Sequence, residues 1–130
     1  MKTLATILRV LLGLVFFVFG LNGFIHFIPE PPLTGLVADF MSGLIKSGYF
    51  VPFLKATETT VGLLLLTGYL VPLALVILTP VLLNILLFHL FLEPATIAVP
   101  VVLVVFHVVL TISNWSIYKA FFNGKNAWKK

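Results

Sequence analysis

Residues 71–92 read VPLALVILTPVLLNILLFHLFL, a run with no Asp, Glu, Lys or Arg. A bilayer's hydrocarbon core is about 30 Å thick and takes about 20 mostly apolar residues of helix to cross. Lipid offers no partner to backbone N–H and C=O groups, so a crossing segment must bond within itself, as a helix does. The run therefore reads as a spanning helix over 71–92. Pro80 lies inside it and is expected to kink it, with neighbouring helices satisfying the freed carbonyl.

Working outward, Gly68 and Pro72 mark a tight turn on the N-terminal side, and Pro72 suits the first turn of a helix. A second span over about 52–70 leads into that turn. Glu93-Pro94 makes the next turn, and a further span over about 95–118 follows, with Pro100 near its start. The first span covers about 4–27. Lys2 and Arg9 ahead of an apolar stretch have the outline of a signal peptide. The run is long, however, and no small-x-small cleavage site follows, so an uncleaved helix is expected. Pro29, Pro31 and Pro32 end it. Beyond them Leu33, Leu36, Val37, Phe40, Met41, Leu44 and Ile45 recur at helical spacing, with Asp39, Ser42, Lys46 and Ser47 between them. That pattern over about 33–48 is an amphipathic helix, too short and too polar to span, which should lie in the interface. The expected architecture is an all-α membrane protein: one domain over 1–130, a four-transmembrane-helix bundle with a short amphipathic helix between helices 1 and 2.

Composition points the same way. The chain is 61% hydrophobic and 9% charged, with a mean hydropathy of +1.20, whereas soluble domains are about 45–50% apolar and about 25% charged. The bilayer is the expected solvent and partner. No cysteine is present, which excludes structural disulfides, thiolate metal sites and a thiol relay. The net charge of +4 flanks the apolar runs, as topology signals do, and does not mark a nucleic-acid surface. With four spans, Lys2, Arg9, Lys119, Lys125, Lys129 and Lys130 share one side, while Lys46 and Lys55 hold the other. The positive-inside rule then places both termini in the cytoplasm, and Glu30, Asp39, Glu58 and Glu93 fall toward the outer half.

Ionisable and amide side chains within spans are site candidates, because hydrocarbon penalises them unless they are paired or face water. They are Asn22 and His26 on the first span, Lys55 and Glu58 on the second, Asn84 and His89 on the third, and His107 on the fourth. At 1.5 Å per residue, Asn22, Glu58 and Asn84 lie roughly 8–12 Å beneath the outer surface, with His26, Lys55 and His89 nearer it and Glu93 at the rim. A shared outer-half polar cavity is the expectation. Each residue also has a structural reading. Glu58 pairs with Lys55 along one helix face, Asn22 and Asn84 serve as interhelical glue, and His26 is interfacial. His107 is a neutral imidazole with a serine or backbone partner. Gly13, Gly20, Gly23, Gly62 and Gly68 permit close helix approach. A metal site from His26, His89 and Glu93 lacks any compact ligand spacing, so none is expected.

Three segments carry a resemblance to a known family: GLVFFVFGLNGFIHFIP (13–29), FLKATETTVGLLLLTGYLVPLAL (53–75) and PVLLNILLFHLFLEP (80–94). The chain resembles the DoxX family of small bacterial membrane proteins, named for a subunit of an archaeal thiosulfate:quinone oxidoreductase or terminal oxidase. The resemblance implies a bacterial inner-membrane protein with a quinone-linked or redox-complex role. In that reading a quinone head would sit in the outer cavity, with Glu58 and His89 exchanging protons and Asn22, His26, Lys55 and Asn84 lining the site. No segment offers to bind an electron-carrying cofactor, so a redox-complex partner protein would deliver the electrons. Two other readings stand beside it: a small-solute or proton-coupled transporter, for which a homo-oligomer such as a dimer is one option, and a structural or assembly subunit without chemistry.

Overall fold

A computed structural model describes residues 2–124, and every described element is helical. The helices are α1 (Lys2–Ile25), α2 (Gly35–Lys46), α3 (Phe50–Thr67), α4 (Val71–Leu92), α5 (Ala98–Ser113) and α6 (Trp115–Tyr118), with one 3₁₀ turn at Pro94–Thr96. Among the described residues, α1, α3 and α4 are each long and apolar enough to cross a membrane, and α5 is a shorter apolar helix. Lys125, Lys129 and Lys130 lie outside the described residues.

The core forms along one stripe of each long helix. Leu12 and Phe16 of α1, Val61 and Leu65 of α3, Leu75, Leu78 and Leu82 of α4, and Leu103 and Leu110 of α5 are all buried. Their three-, four- and seven-residue spacing is that of one helix face. The outward faces carry Leu, Val and Phe almost throughout. Such faces are stable only where lipid replaces water.

Helices α1 and α3 form the tightest pair. A Cβ on Gly13 would sit 2.8 Å from the Leu66 amide, one on Gly20 2.6 Å from the Thr59 amide, and one on Gly23 2.5 Å from the Lys55 side chain. From α3, a Cβ on Gly62 would meet Phe17 Cα at 2.7 Å. Each step forward along α1 is matched by a step back along α3, so the two run antiparallel, backbone nearly against backbone. Small residues are what permit this approach in a membrane.

Two helix ends fix the connections. Gly68 closes α3 in the left-handed conformation, φ 76°, and its N–H donates to the Leu64 carbonyl at 3.0 Å, a capping geometry that glycine adopts without strain. The Arg9 guanidinium reaches over from α1 and donates to the Leu65 carbonyl and, at 3.3 Å, to that of Leu66. Those are last-turn carbonyls with no partner inside the helix, at the negative end of its dipole. Pro72 stands in the first turn of α4, and Pro80 sits within that helix without ending it. Helix α2 lies by the opposite end, half-buried along Val37, Met41 and Leu44, with Phe40 against Phe88 of α4 at a ring separation of 5.6 Å.

The sequence reads a single apolar run over 95–118, but the structure divides it. Residues 94–96 form the 3₁₀ turn and α5 ends at Ser113. The Asn114 amide donates to the Leu110 carbonyl at 2.8 Å, the local side-chain bond by which asparagine competes with helix continuation.

Candidate functional site

Three of the seven residues singled out from the sequence stand at neighbouring levels of the α1–α3 pair, near the end of α1 and in the first half of α3. Because Gly20 and Gly23 oppose Thr59 and Lys55, Asn22 and Glu58 lie at the same level, and both are buried, 2% and 4% exposed. Lys55 Nζ sits 3.1 Å from Glu58 Oε2, one helical turn away on the same face. The missing side chain of Gly23 makes room for the lysine stem. Asn22 spends both halves of its amide on the segment after α1. Its Oδ1 accepts from the Ile28 N–H at 2.7 Å, and its Nδ2 donates to Glu30 Oε1 at 3.1 Å. The amide therefore latches the proline-rich loop onto the helix end.

Glu58 retains chemical capacity. Only its Oε2 accepts a bond from a described residue, and no buried side-chain oxygen among the described residues lacks a partner. Its second oxygen is therefore open to an approaching group. A carboxylate with one oxygen held by an ammonium and one free can accept a proton or a hydrogen bond from outside.

The other candidates stand apart from this cluster. His26 is exposed in the left-handed conformation at the end of α1, φ 55°, and its N–H donates to the Asn22 carbonyl at 2.9 Å. His89 Nδ1 lies 2.9 Å from the carbonyl of Ile85, and its ring stands edge-on to Phe88 at 5.3 Å. Asn84 points away from the core. It is exposed on α4, whose side-chain hydrogen bonds use Thr79 and His89, with none to Asn84 among the described residues. Asn84 makes no side-chain bond to Asn22, Lys55 or Glu58 among the described residues, and it sits half a helix turn away from the buried stripe Leu75–Leu78–Leu82. No group of three His, Asp or Glu side chains among the described residues is placed to hold a metal ion.

His107 finds the backbone partner expected of it, while two hollows escape the sequence reading. His107 falls between Leu103 and Leu110 on the buried face of α5, and its Nε2 lies 2.9 Å from the Leu75 carbonyl and 3.1 Å from Thr79 Oγ1. The carbonyl only accepts, and the Thr79 hydroxyl already donates to it at 2.8 Å. The geometry thus assigns the proton to Nε2, which bonds α5 to α4. Beside it lies a groove of about 1010 Å³ between α4, α5 and α6, lined by Leu82, Val104, Trp115 and Phe121 among others. At the opposite end from Glu58, a cleft of about 340 Å³ is lined by Arg9, Thr6, Gly68 and Asn114. A cation five residues into the apolar run that starts at Leu4 was the available signal for Arg9, since such a charge needs a partner.

Apolar helices packed by glycine, with a small polar cluster at one end, define a helical integral membrane protein. The chain belongs to the DoxX family, whose profile matches residues 4–90. Neither a curated protein nor a solved structure matches it.

Proposed function

We propose that this DoxX-family protein crosses the inner membrane of a bacterium four times, with both termini cytoplasmic. In this reading it serves as the membrane subunit of a redox complex, and the Asn22–Lys55–Glu58 cluster engages a quinone head beneath the outer surface. The observation that carries the proposal is the Glu58 carboxylate: buried, held by Lys55 at 3.1 Å, and with one oxygen unbonded. A quinone oxygen reduced by the partner's electrons would accept a hydrogen bond and then a proton from that carboxyl once Glu58 is protonated, in a low-dielectric setting where such a bond is stronger than in water. Lys55, whose side chain is 26% exposed, would hydrogen-bond a carbonyl. Electrons would come from a partner protein. His89 and Asn84 do not contact the cluster and hold no first role in the proposal.

Titration of purified protein in lipid nanodiscs with a short-chain quinone tests this. Wild-type protein should bind, and Glu58→Gln should bind at least tenfold more weakly. Equal binding by both, or binding by neither, removes the proposal. A second reading, a structural or assembly subunit, draws on Asn22, whose bonds end on Ile28 and Glu30 within the chain. A stable co-purifying partner, with function intact after combined Glu58→Gln and His89→Leu replacement, would favour it. A proton-coupled transporter would instead show Glu58-dependent flux in proteoliposomes bearing a pH gradient.

A further inference from the structure

Asn84 presents an amide to hydrocarbon. It lies two to three residues past the midpoint of α4, or about 4 Å along the axis, so snorkelling to water is beyond the reach of its short side chain. Its neighbours on that face are informative. Leu73, Ile77, Pro80, Asn84, Leu87 and Phe91 are all exposed, and they are separated by four, three, four, three and four residues. That is an unbroken heptad seam, with Ile77, Asn84 and Phe91 in the a positions and Leu73, Pro80 and Leu87 in the d positions. Branched residues at a with leucine at d favour two parallel strands, and a single asparagine at an a position sets register and oligomeric state.

We propose that this face of α4 is the interface of a homodimer, with two copies of α4 packed in parallel about a twofold axis that passes beside Asn84. Copies inserted in the same direction place identical helices parallel, and a twofold axis brings each residue near its own counterpart. An amide carries both donor and acceptor and is complementary to itself. Two Asn84 side chains across the axis would satisfy each other where lipid cannot. An unrelated partner helix would need a matching polar group at that same depth, whereas a second copy supplies it by symmetry. The seam meets the α4–α5 groove only at Leu73 and lies apart from the buried Leu75–Leu78–Leu82 stripe, so dimerisation leaves the bundle core unchanged.

The absence of cysteine makes the test clean. Single cysteines introduced as Ile77→Cys and Leu87→Cys should form disulfide-linked dimers on mild oxidation in native membranes. Leu11→Cys, on the exposed face of α1, should form at least tenfold less. Single-molecule photobleaching in liposomes should show dimers of wild-type protein, with Asn84→Leu raising the dissociation constant about five- to tenfold, in keeping with interhelical hydrogen bonds of model membrane peptides. Asn84→Gln, which keeps donor and acceptor, should recover most of the association. Monomers at all densities would overturn the inference, as would cross-linking at Leu11 equal to that at Ile77, or an Asn84→Leu dimer as tight as wild type.

Discussion

Gly62 and Gly43 are the same residue in opposite circumstances. A methyl group at position 62 would lie 2.7 Å from Phe17 Cα and 2.8 Å from the Gly13 carbonyl, with backbone on both sides and nothing able to swing away. At position 43, on α2, it would meet nothing within 4 Å. Gly62→Ala is expected to force α1 and α3 apart at a cost of about 1–3 kcal/mol, the usual range for overpacking. Gly43→Ala should stabilise by about 0.5–1 kcal/mol, because glycine loses more freedom on entering a helix. Thermal unfolding in micelles compares the two directly, and the pair must move in opposite directions. Asn22 offers a second test of the same kind. Asn22→Leu strips the Ile28 N–H of its acceptor and Glu30 of its donor, for an expected loss of about 1–3 kcal/mol. Asn22→Asp restores the acceptor for Ile28 but sets a carboxylate against Glu30 at the site of a 3.1 Å contact, so it should rescue only in part. Full rescue by Asp would mean that the Glu30 bond contributes nothing.

The helices differ in what joins them, and this governs what sequence could reveal. Apolar length alone marks the spanning character of α1, α3 and α4, since a charge-free run such as 71–92 has few alternatives in water. Glycine spacing also suggested close approach, though not which helices meet. Partner choice depends on three-dimensional register, as when Gly20 finds Thr59 rather than a residue of α4. The candidate site was legible where chemistry was local, in the Lys55–Glu58 pair on one face. It was illegible where facing mattered, because depth along a helix does not say whether Asn84 turns inward or outward. His107 was read as a satisfied imidazole, but its partners, Leu75 and Thr79, lie about thirty residues away along the chain. Side-chain bonds between α4 and α5 or α6 among the described residues run from His107 to Leu75 and Thr79 and from Tyr118 to Pro72, the last at 2.6 Å. Loss of such bonds should loosen these helices without unfolding the α1–α3 pair. His107→Leu keeps the volume and removes the donor. Hydrogen exchange should quicken in α5 and α6 by about tenfold, equivalent to about 1.4 kcal/mol, while α1 and α3 stay protected. Uniform acceleration across all helices would mean that the bundle opens as one unit.

At the scale of the whole molecule, the polar cluster acquires a meaning only from the side it faces. Arg9 beside Gly68 and Phe40 beside Phe88 fix which helix ends lie together, so orientation reduces to one binary choice. Lys2, Arg9 and Lys119 gather at the end away from Glu58, the end that the proposed orientation, resting on the positive-inside rule, sets in the cytoplasm. Helix α5 is the short element of that frame, since its sixteen residues extend only about 24 Å, less than the roughly 30 Å of an average hydrocarbon core. Local thinning of the bilayer or extension through the flanking turns can close a gap of that size at modest cost. An impermeant maleimide applied to intact cells distinguishes the arrangements in a chain that has no cysteine of its own. Asp39→Cys and Glu93→Cys should label at once, and Thr3→Cys and Ser116→Cys only after permeabilisation. Labelling of Ser116→Cys together with Glu93→Cys would mean that α5 lies along the membrane. Labelling of Thr3→Cys in intact cells, with Glu93→Cys silent, would turn the molecule over. Glu58 would then open toward the cytoplasm, and any quinone it met would exchange protons with that compartment instead.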